Sequence, residues 1–232
     1  MKRISRWFLI LATAFVAGCA DETEPKNSGP SADRLFLQYR LVAEEGREDA
    51  TVTLEFKYRN QNGRAMLLEE PATVELDGIR LEPDSSSFSG VFYEKTLSSA
   101  ELAGNHKIRL TAADGSTYEE SFEFRPFSLA PDFPDTISRG SFYLELTNPP
   151  ADGEILQLIL VDTSFESPDV NDDVEVRDGK IEVTPSMLKK VVNGPIILEI
   201  HQEKNETLDE PTKAGGSFSL FYAVKREFEL KD

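Results

Sequence analysis

Apolar and polar residues alternate over two stretches near the start of the chain. The apolar residue at every second position is Leu35, Leu37, Tyr39 and Leu41 in the first stretch, and Val52, Leu54, Phe56 and Tyr58 in the second. Successive side chains of a strand point to opposite faces, so this spacing predicts strands with one buried face. Shorter runs of the same kind follow over 72–76, 79–81, 91–93, 108–110 and 122–124.

Turn residues separate these predicted strands. Asn60-Gln61-Asn62-Gly63 has the composition of a turn, and Asp77-Gly78 and Asp114-Gly115 are hairpin signals. Glycine is favoured there because it adopts a positive φ at no steric cost. Short strands joined by tight turns indicate antiparallel sheets.

The pattern breaks between Pro126 and Pro134, where we predict a short semi-rigid linker. A second series of apolar runs follows over 142–146, 156–160, 174–176, 181–183, 197–200 and 218–228. Seven or so short strands in roughly 100 residues are typical of a β-sandwich. The predicted fold class is therefore all-β, with two tandem β-sandwich domains over 33–127 and 128–232.

The two halves share a short internal pattern. Residues 96–102 precede Gly104, residues 182–188 precede Gly194, and a strand follows each glycine. Both segments predict a strand, a serine or threonine N-cap, one helical turn, a glycine and a strand. This layout resembles the helical crossover between the sheets of immunoglobulin-like domains. The resemblance implies two immunoglobulin-like domains that arose by duplication.

The amino terminus has the features of a secretory signal. An apolar stretch over residues 7–17 follows the cationic residues Lys2, Arg3 and Arg6. This stretch is too short to cross a bilayer as a helix. The stretch ends in Val16-Ala17-Gly18-Cys19. We expect residues 1–18 to be a cleaved signal peptide. The Asp-, Glu-, Pro- and Ser-rich residues 19–32 are expected to form a disordered tether.

Val16-Ala17-Gly18-Cys19 resembles the bacterial lipobox. That resemblance implies a diacylglycerol on the Cys19 sulfur, cleavage before Cys19 and a membrane anchor of two or three acyl chains. The absence of aspartate at position 20 favours the outer membrane, and the acidic residues at 21, 22 and 24 resemble export signals of Bacteroidota surface lipoproteins. The chain is thus similar to uncharacterised Bacteroidota-type envelope lipoproteins. Both the periplasmic face of the membrane and the cell surface are compatible with these features as the location of the protein.

Charge and cysteine content exclude several classes of function. The chain has a formal net charge of -17, and loss of the three signal-peptide cations makes the mature chain more acidic. Nucleic acid is therefore a poor partner. Cys19 is the only cysteine, so lipidation of Cys19 would leave the mature chain without disulfides, thiol chemistry or cysteine metal ligands. Since the chain has two histidines, a metal site built from several histidines is not expected either. We expect no cofactor apart from the calcium considered next.

One acidic segment is a candidate calcium site. Asp169, Asn171 and Asp173 offer hard oxygen ligands, with Asp162, Glu166 and Glu175 nearby in the sequence. The segment departs from an EF-hand loop, since Val174 stands where the turn needs glycine. It resembles in part the acidic motif of cadherin linkers. A solvated acidic loop is the alternative.

A second candidate is the polar connection from His201 to Gly216, which has no long counterpart in the first half. It is predicted to be a recognition loop or a tolerated disordered insertion. No catalytic motif stands out, and His106 and His201 are expected to be structural. We expect a non-catalytic envelope lipoprotein that binds or assembles with an unidentified protein or glycan. A calcium-dependent adhesive or carbohydrate-binding module is the alternative, and a hydrolase ranks third.

Overall fold

The computed structural model describes residues 31–86 and 90–232. A 3-10 turn over Ala32–Arg34 begins the described chain. Within these residues sixteen strands and two short α-helices follow in this order: β1 (Leu35–Glu44), β2 (Ala50–Tyr58), β3 (Thr73–Leu76), β4 (Ile79–Arg80), β5 (Pro83–Ser86), β6 (Gly90–Leu97), α1 (Ser99–Leu102), β7 (Gly104–Thr111), β8 (Thr117–Phe124), β9 (Ser128–Leu129), β10 (Thr136–Ser138), β11 (Phe142–Thr147), β12 (Ile155–Asp162), β13 (Val170–Glu175), β14 (Lys180–Val183), α2 (Pro185–Leu188), β15 (Gly194–Thr212) and β16 (Gly215–Lys231).

The strands form three sheets in the described part of the chain. The continuous sheet has the order β13-β12-β15-β16-β1-β2-β6-β5, with β10 also paired to β16. The amino-terminal sheet is β4-β3-β7-β8, and the carboxy-terminal sheet is β14-β11-β9. Their buried faces contribute to one hydrophobic cluster, which gives the sheets a sandwich-like arrangement. The predicted all-β class is confirmed.

The alternation seen in the sequence is the burial pattern of the strands. In β1 the residues Leu37, Tyr39 and Leu41 are almost fully buried, and their neighbours are exposed or half-buried. Strand β2 pairs antiparallel with β1, opposing Phe56 to Leu37 and Leu54 to Tyr39. The Asp77-Gly78 hairpin is confirmed as well, since both residues have a positive φ between β3 and β4. The period-two pattern of β1 thus identified the face of the strand that is buried.

Both predicted helical turns are present, and each connects two sheets. Helix α1 lies between β6 of the continuous sheet and β7 of the amino-terminal sheet, and α2 lies between β14 and β15. Ser98 Oγ accepts the Glu101 N–H at 3.2 Å and Thr184 Oγ1 accepts the Met187 N–H at 3.4 Å, which confirms an N-cap on each turn. The crossovers run in opposite senses. The first leaves the continuous sheet and the second enters it.

The connection from His201 to Gly216 is neither a recognition loop nor a disordered insertion, and both predictions are wrong. Strand β15 extends to Thr212, β16 begins at Gly215, and their backbones pair from Gly194 opposite Leu230 to the turn. The register shifts between Thr207 and Thr212, where the hairpin is irregular. Antiparallel strands can carry polar side chains on a solvent face, so a polar composition alone did not distinguish this hairpin from a loop.

The tip of this hairpin packs on the first half of the chain. The Phe218 ring stacks on Phe122 of β8 with ring centroids 4.9 Å apart. Leu208 is buried, and Thr212 Oγ1 donates a hydrogen bond to the Leu35 carbonyl at 2.6 Å. Residues 216–223 of β16 pair in parallel with residues 37–44 of β1. One hairpin therefore serves both halves.

The shared sheet bears on the two predicted domains, 33–127 and 128–232, because both contribute strands to it. Their boundary falls between β8 and β9, as the break in pattern indicated. The segment at the break is not an exposed linker, however. Phe127 and Leu129 are buried, and Leu129 pairs with Leu146 in β11. The division into two domains stays a prediction, and the two ranges share the continuous sheet through β1 and β16.

Glu120 lies at the contact between β8 and the hairpin tip. It is 8% exposed, and its carboxylate accepts the Asp209 N–H at 2.9 Å. Burial raises the pKa of Glu120 above its usual value, and the negative charges of Asp209, Glu206 and Glu210 raise it further. A carboxyl group whose folded-state pKa is raised contributes stability only while it is protonated, and that contribution disappears as the pH rises through the folded-state pKa.

We therefore expect Glu120→Gln to raise the melting temperature at neutral pH. Glutamine keeps an oxygen for the Asp209 N–H and carries no charge to desolvate. The advantage over wild type should shrink toward zero near pH 4, where most of the wild-type carboxyl is protonated. Thermal unfolding measured from about pH 4 to about pH 7 tests this. The control is Glu123→Gln on the same strand. If Glu120→Gln raised the melting temperature by the same amount at about pH 4 and at about pH 7, the raised pKa of Glu120 would be contradicted.

Candidate functional site

The predicted calcium ligands lie on or beside an edge strand of the continuous sheet. Asp169 precedes β13 and is exposed, and Asn171 and Asp173 are exposed on one face of β13. Asp172 faces the other side, where its Oδ2 is 2.8 Å from Lys190 Nζ. Among the described residues no group of three or more His, Cys, Asp or Glu side chains is placed to hold a metal ion. Calcium binding stays a prediction, and its residues form a strand rather than a loop.

Asp162, which the sequence placed near the calcium ligands, organises the loop between β12 and β13. It is 1% exposed, and its carboxylate accepts hydrogen bonds from the backbone N–H groups of Ser164, Glu166 and Ser167 at 2.8, 2.8 and 3.1 Å. Burial raises the pKa of Asp162, but these hydrogen bonds outweigh burial and hold the pKa below its usual value. Its oxygens are thus occupied by its own loop.

This loop displays an aromatic side chain. Phe165 is 86% exposed and has a φ of 57°, which is unusual for a bulky residue. Thr163 Oγ1 donates to the Pro195 carbonyl at 3.0 Å, and the Val192 N–H donates to Ser167 Oγ at 3.2 Å. The loop is therefore tied to the segment that precedes β15.

A groove of about 570 Å³ lies between β10 and β11. Leu129, Ile137 and Leu144 are buried side chains of its lining, whereas Asp132 and Glu145 are exposed at its rim. Binding sites for small ligands and short segments are typically clefts of roughly 300–1,000 Å³ with an apolar lining and a few polar groups. The groove has this size and composition.

The segment predicted to be a linker builds one wall of the groove. Phe133 packs edge-on against Phe228 of β16, with ring centroids 6.1 Å apart. The Glu229 N–H donates to the Asp135 carbonyl at 2.8 Å, and β10 then pairs in parallel with residues 229–231. These contacts hold the wall against the continuous sheet. The apolar residues between Pro126 and Pro134 were the feature of the sequence that could have indicated burial of this segment.

The bend between β10 and β11 is fixed by Arg139. Its Nη2 donates to Asn193 Oδ1 at 2.6 Å, and its Nε lies 3.2 Å from Asp232 Oδ1. On the opposite wall, Lys180 Nζ is 2.6 Å from Glu145 Oε1, and this hydrogen bond lowers the pKa of Glu145. The groove therefore combines a fixed apolar floor with two rim carboxylates, of which Glu145 is paired with Lys180.

The two histidines of the chain lie outside this groove. His106 Nδ1 is 2.7 Å from Asp77 Oδ2 and its Nε2 is 2.7 Å from the Leu102 carbonyl oxygen. His201 Nε2 is 3.0 Å from Glu199 Oε2, and its ring contacts Phe221 edge-on. Each ring is engaged by neighbouring side chains or backbone of its own sheet. Their positions agree with the structural roles expected from the sequence.

The fold and the groove define an all-β protein of the sandwich class with a ligand-sized cleft. No family model matches the chain, and no curated protein matches it. Among solved structures, it is similar to the IG1+IG2 domains of DIP-gamma, at 8% identity and a TM-score of 0.24, over 82% of this chain and 96% of that one. It is likewise similar to Titin-A168169, at 11% identity and a TM-score of 0.26, over 82% and 97% of the two chains.

A third similar structure is of a 1.5-MDa bacterial ice-binding adhesin, described as an insight into host cell surface retention. The identity is 10% and the TM-score is 0.24, over 88% of this chain and 65% of that one. These likenesses concern the fold alone. In the described residues, no helix is both long enough and apolar enough to cross a membrane.

Proposed function

We propose that this chain is a lipid-anchored protein of the bacterial envelope whose groove between β10 and β11 binds a partner without catalysis. The observation that carries the proposal is the groove itself, with its apolar floor, its acidic rim and its volume of about 570 Å³. The class of partner is a protein or a glycan, and the role is binding or assembly. The anchor is the lipid on Cys19, most simply in the outer membrane.

The positions of the amino-terminal end and the groove support this proposal. Asp33, near the start of the described chain, pairs with Lys213 in the turn of the long hairpin at 2.5 Å. The groove wall pairs with the other end of β16, where Thr136 lies opposite Glu229. Strand β16 covers 17 residues. At about 3.3 Å per residue, its two ends are up to about 55 Å apart. The described chain therefore begins at the end of β16 that lies away from the groove.

The chemistry of the groove supports binding rather than catalysis. Its lining carries the carboxylates of Asp132 and Glu145, hydroxyl groups of Ser138 and Ser141, and no histidine, lysine or arginine. A nucleophilic hydroxyl needs a base within hydrogen-bond reach to be activated. Ser141 Oγ donates to Glu182 Oε1 in β14 at 2.7 Å, but both side chains are exposed to solvent rather than enclosed in the cleft. This is a cross-strand contact between exposed side chains.

The anchor is tested by metabolic labelling with a palmitate analogue. We expect the wild type to be labelled and to sediment with membranes, and Cys19→Ala to lose the label and the membrane association completely. Ala20→Ser, which keeps the cysteine, is the matched control. Equal labelling of wild type and Cys19→Ala would overturn the anchor.

The binding role is tested by capture of envelope proteins and glycans on the purified lipidated protein. Asp132→Lys alters the rim, and Asp152→Lys makes the same charge change in the exposed turn before β12. We expect a defined species to be retained by the wild type and by Asp152→Lys and lost with Asp132→Lys. Identical capture by all three would contradict a role for the groove.

A further inference from the structure

One strand beside the groove has an edge that is only partly used. In β11 the Glu145 carbonyl accepts the Ala130 N–H at 2.9 Å, and Leu146 and Thr147 lie opposite Leu129 and Ser128 of β9. Strand β9 ends there. Backbone N–H and C=O groups point alternately to the two sides of a strand, so those of Tyr143 point to the same side as the Glu145 carbonyl.

The other side of β11 is fully engaged. Residues 142–145 pair with residues 180–183 of β14, and the Leu146 N–H donates to the Gly179 carbonyl at 3.0 Å. Across the groove, β10 pairs with β16 on one side. Within residues 31–86 and 90–232, no strand pairs with β10 on its other side or continues β9 along Tyr143. The groove therefore lies between two unpaired strand edges.

These edges lack the protection that other edges of the protein have. Exposed edge strands are commonly guarded against pairing by charged side chains. Strand β13, at the end of the continuous sheet, carries Asp172, Asp173 and Glu175. In contrast, Thr136–Ser138 and the free part of β11 over 142–144 carry no charge, in a chain of which 29% is charged. The edges of β10 and β11 that face the groove thus lack the charged side chains that would oppose pairing with a further strand.

We propose that the groove binds an extended segment of a partner protein as an added strand on β11, a more specific form of the binding role proposed above and dependent on it. The segment pairs with the backbone N–H and C=O of Tyr143. Its apolar residues, at every second position, contact Leu129, Ile137 and Leu144. Lysine or arginine residues flank the apolar part, and one of them meets the rim carboxylate of Asp132, in keeping with the net charge of -17.

The test uses a fluorescent synthetic peptide in which valine and threonine alternate between lysine ends, with the full lipidated chain in detergent. Tyr143→Pro removes the N–H that faces the groove and keeps the partners of β14. Tyr143→Ala removes the same exposed side chain and keeps the N–H. Comparing the two variants therefore isolates the backbone contact. We expect Tyr143→Pro to bind at least about tenfold more weakly than Tyr143→Ala, as for loss of a backbone hydrogen bond in a dry groove.

The charge of the rim gives a second, independent readout. Asp132→Lys should weaken the lysine-ended peptide several-fold, and Asp152→Lys should leave its affinity unchanged. A peptide with glutamate ends should bind more weakly than the lysine-ended one. These comparisons also hold if Tyr143→Pro fails to fold, which its melting temperature would reveal.

Three results would overturn the addition of a strand from a partner protein to β11. Equal affinity of Tyr143→Pro and Tyr143→Ala, both folded, would mean that the groove binds by side chains alone, and the proposed binding role would stand. No binding of the peptide to the wild type would reject the stated class of occupant. Concentration-dependent self-association lost in Tyr143→Pro would identify the occupant as a second copy of this chain. Equal envelope capture by the wild type, Asp152→Lys and Asp132→Lys would instead reject the proposed function.

Discussion

Replacing Tyr222 with alanine is expected to lower the free energy of unfolding by about 3–5 kcal/mol, as for deletion of a large buried aromatic ring. Tyr222 is 1% exposed on β16. Its ring packs edge-on against Phe124 and Phe127 with centroids 5.4 and 5.3 Å away, and its hydroxyl donates to the Phe127 carbonyl at 2.8 Å. The residue joins the last hairpin to the end of β8 and to the segment where the two halves meet. Equilibrium denaturation with urea measures the change.

Two further variants separate the contributions of Tyr222. Tyr222→Phe keeps the ring and leaves the Phe127 carbonyl without its donor, so we expect a smaller loss of about 1–2 kcal/mol. Tyr143→Ala removes a tyrosine that is 62% exposed and should change stability by less than about 0.5 kcal/mol. A loss below about 1 kcal/mol for Tyr222→Ala would show that the ring does not hold the halves together.

The strands and their inward faces were predictable because burial of a strand is a local property. The residue at every second position of β1 and β2 was apolar, and these residues are buried in the structure except Tyr58, which is half-buried at the end of β2. The turn at Asp77 and Gly78 and the N-caps at Ser98 and Thr184 were predictable for the same reason. Each depends on the chemistry of two to four neighbouring residues.

The pairing of β1 with β16 could not be predicted in this way. The two strands are separated by most of the chain, and parallel pairing is encoded by no local turn. The β15–β16 hairpin was also not predicted, because its tip lacks an alternating apolar pattern. Near residues 203–211 only Leu208 is buried, because this part of β15 reaches over the edge of the first half. Without a long alternating pattern, the segment had the composition of a loop.

The groove was missed because proline was taken as the dominant signal between 126 and 134. Proline does restrict the backbone there, but Phe127, Leu129 and Phe133 between the prolines pack against β16 or β11. Composition predicted a short semi-rigid linker, whereas the buried side chains of Phe127 and Leu129 make this segment part of the core. The candidate site therefore depends on tertiary contacts. Neither the cleft nor the carboxylates of Asp132 and Glu145 at its rim were identified from the sequence.

Replacing Gly216 with valine is expected to lower the free energy of unfolding by about 1–3 kcal/mol, the usual cost of inserting methyl groups into a well-packed site. Gly216 is buried on β16 opposite Leu37 of β1. A Cβ atom there would lie 2.5 Å from Leu208 Cδ1 and 3.1 Å from the Leu37 carbonyl oxygen. The leucine side chain can rotate, but the β1 backbone cannot move without disturbing its pairing with β2. Urea denaturation measures the loss.

The matched control for this substitution is Gly140→Val, because a Cβ atom at Gly140 has no neighbour within 4 Å. We expect it to change the stability by less than about 0.5 kcal/mol. The Gly216→Val variant should also increase amide hydrogen exchange in residues 37–44 of β1, which pair with this part of β16. A stable Gly216→Val protein with unchanged exchange in β1 would contradict the close packing of the hairpin tip on the first half. Faster exchange confined to β15 and β16 would mean that the tip opens while β1 keeps its order.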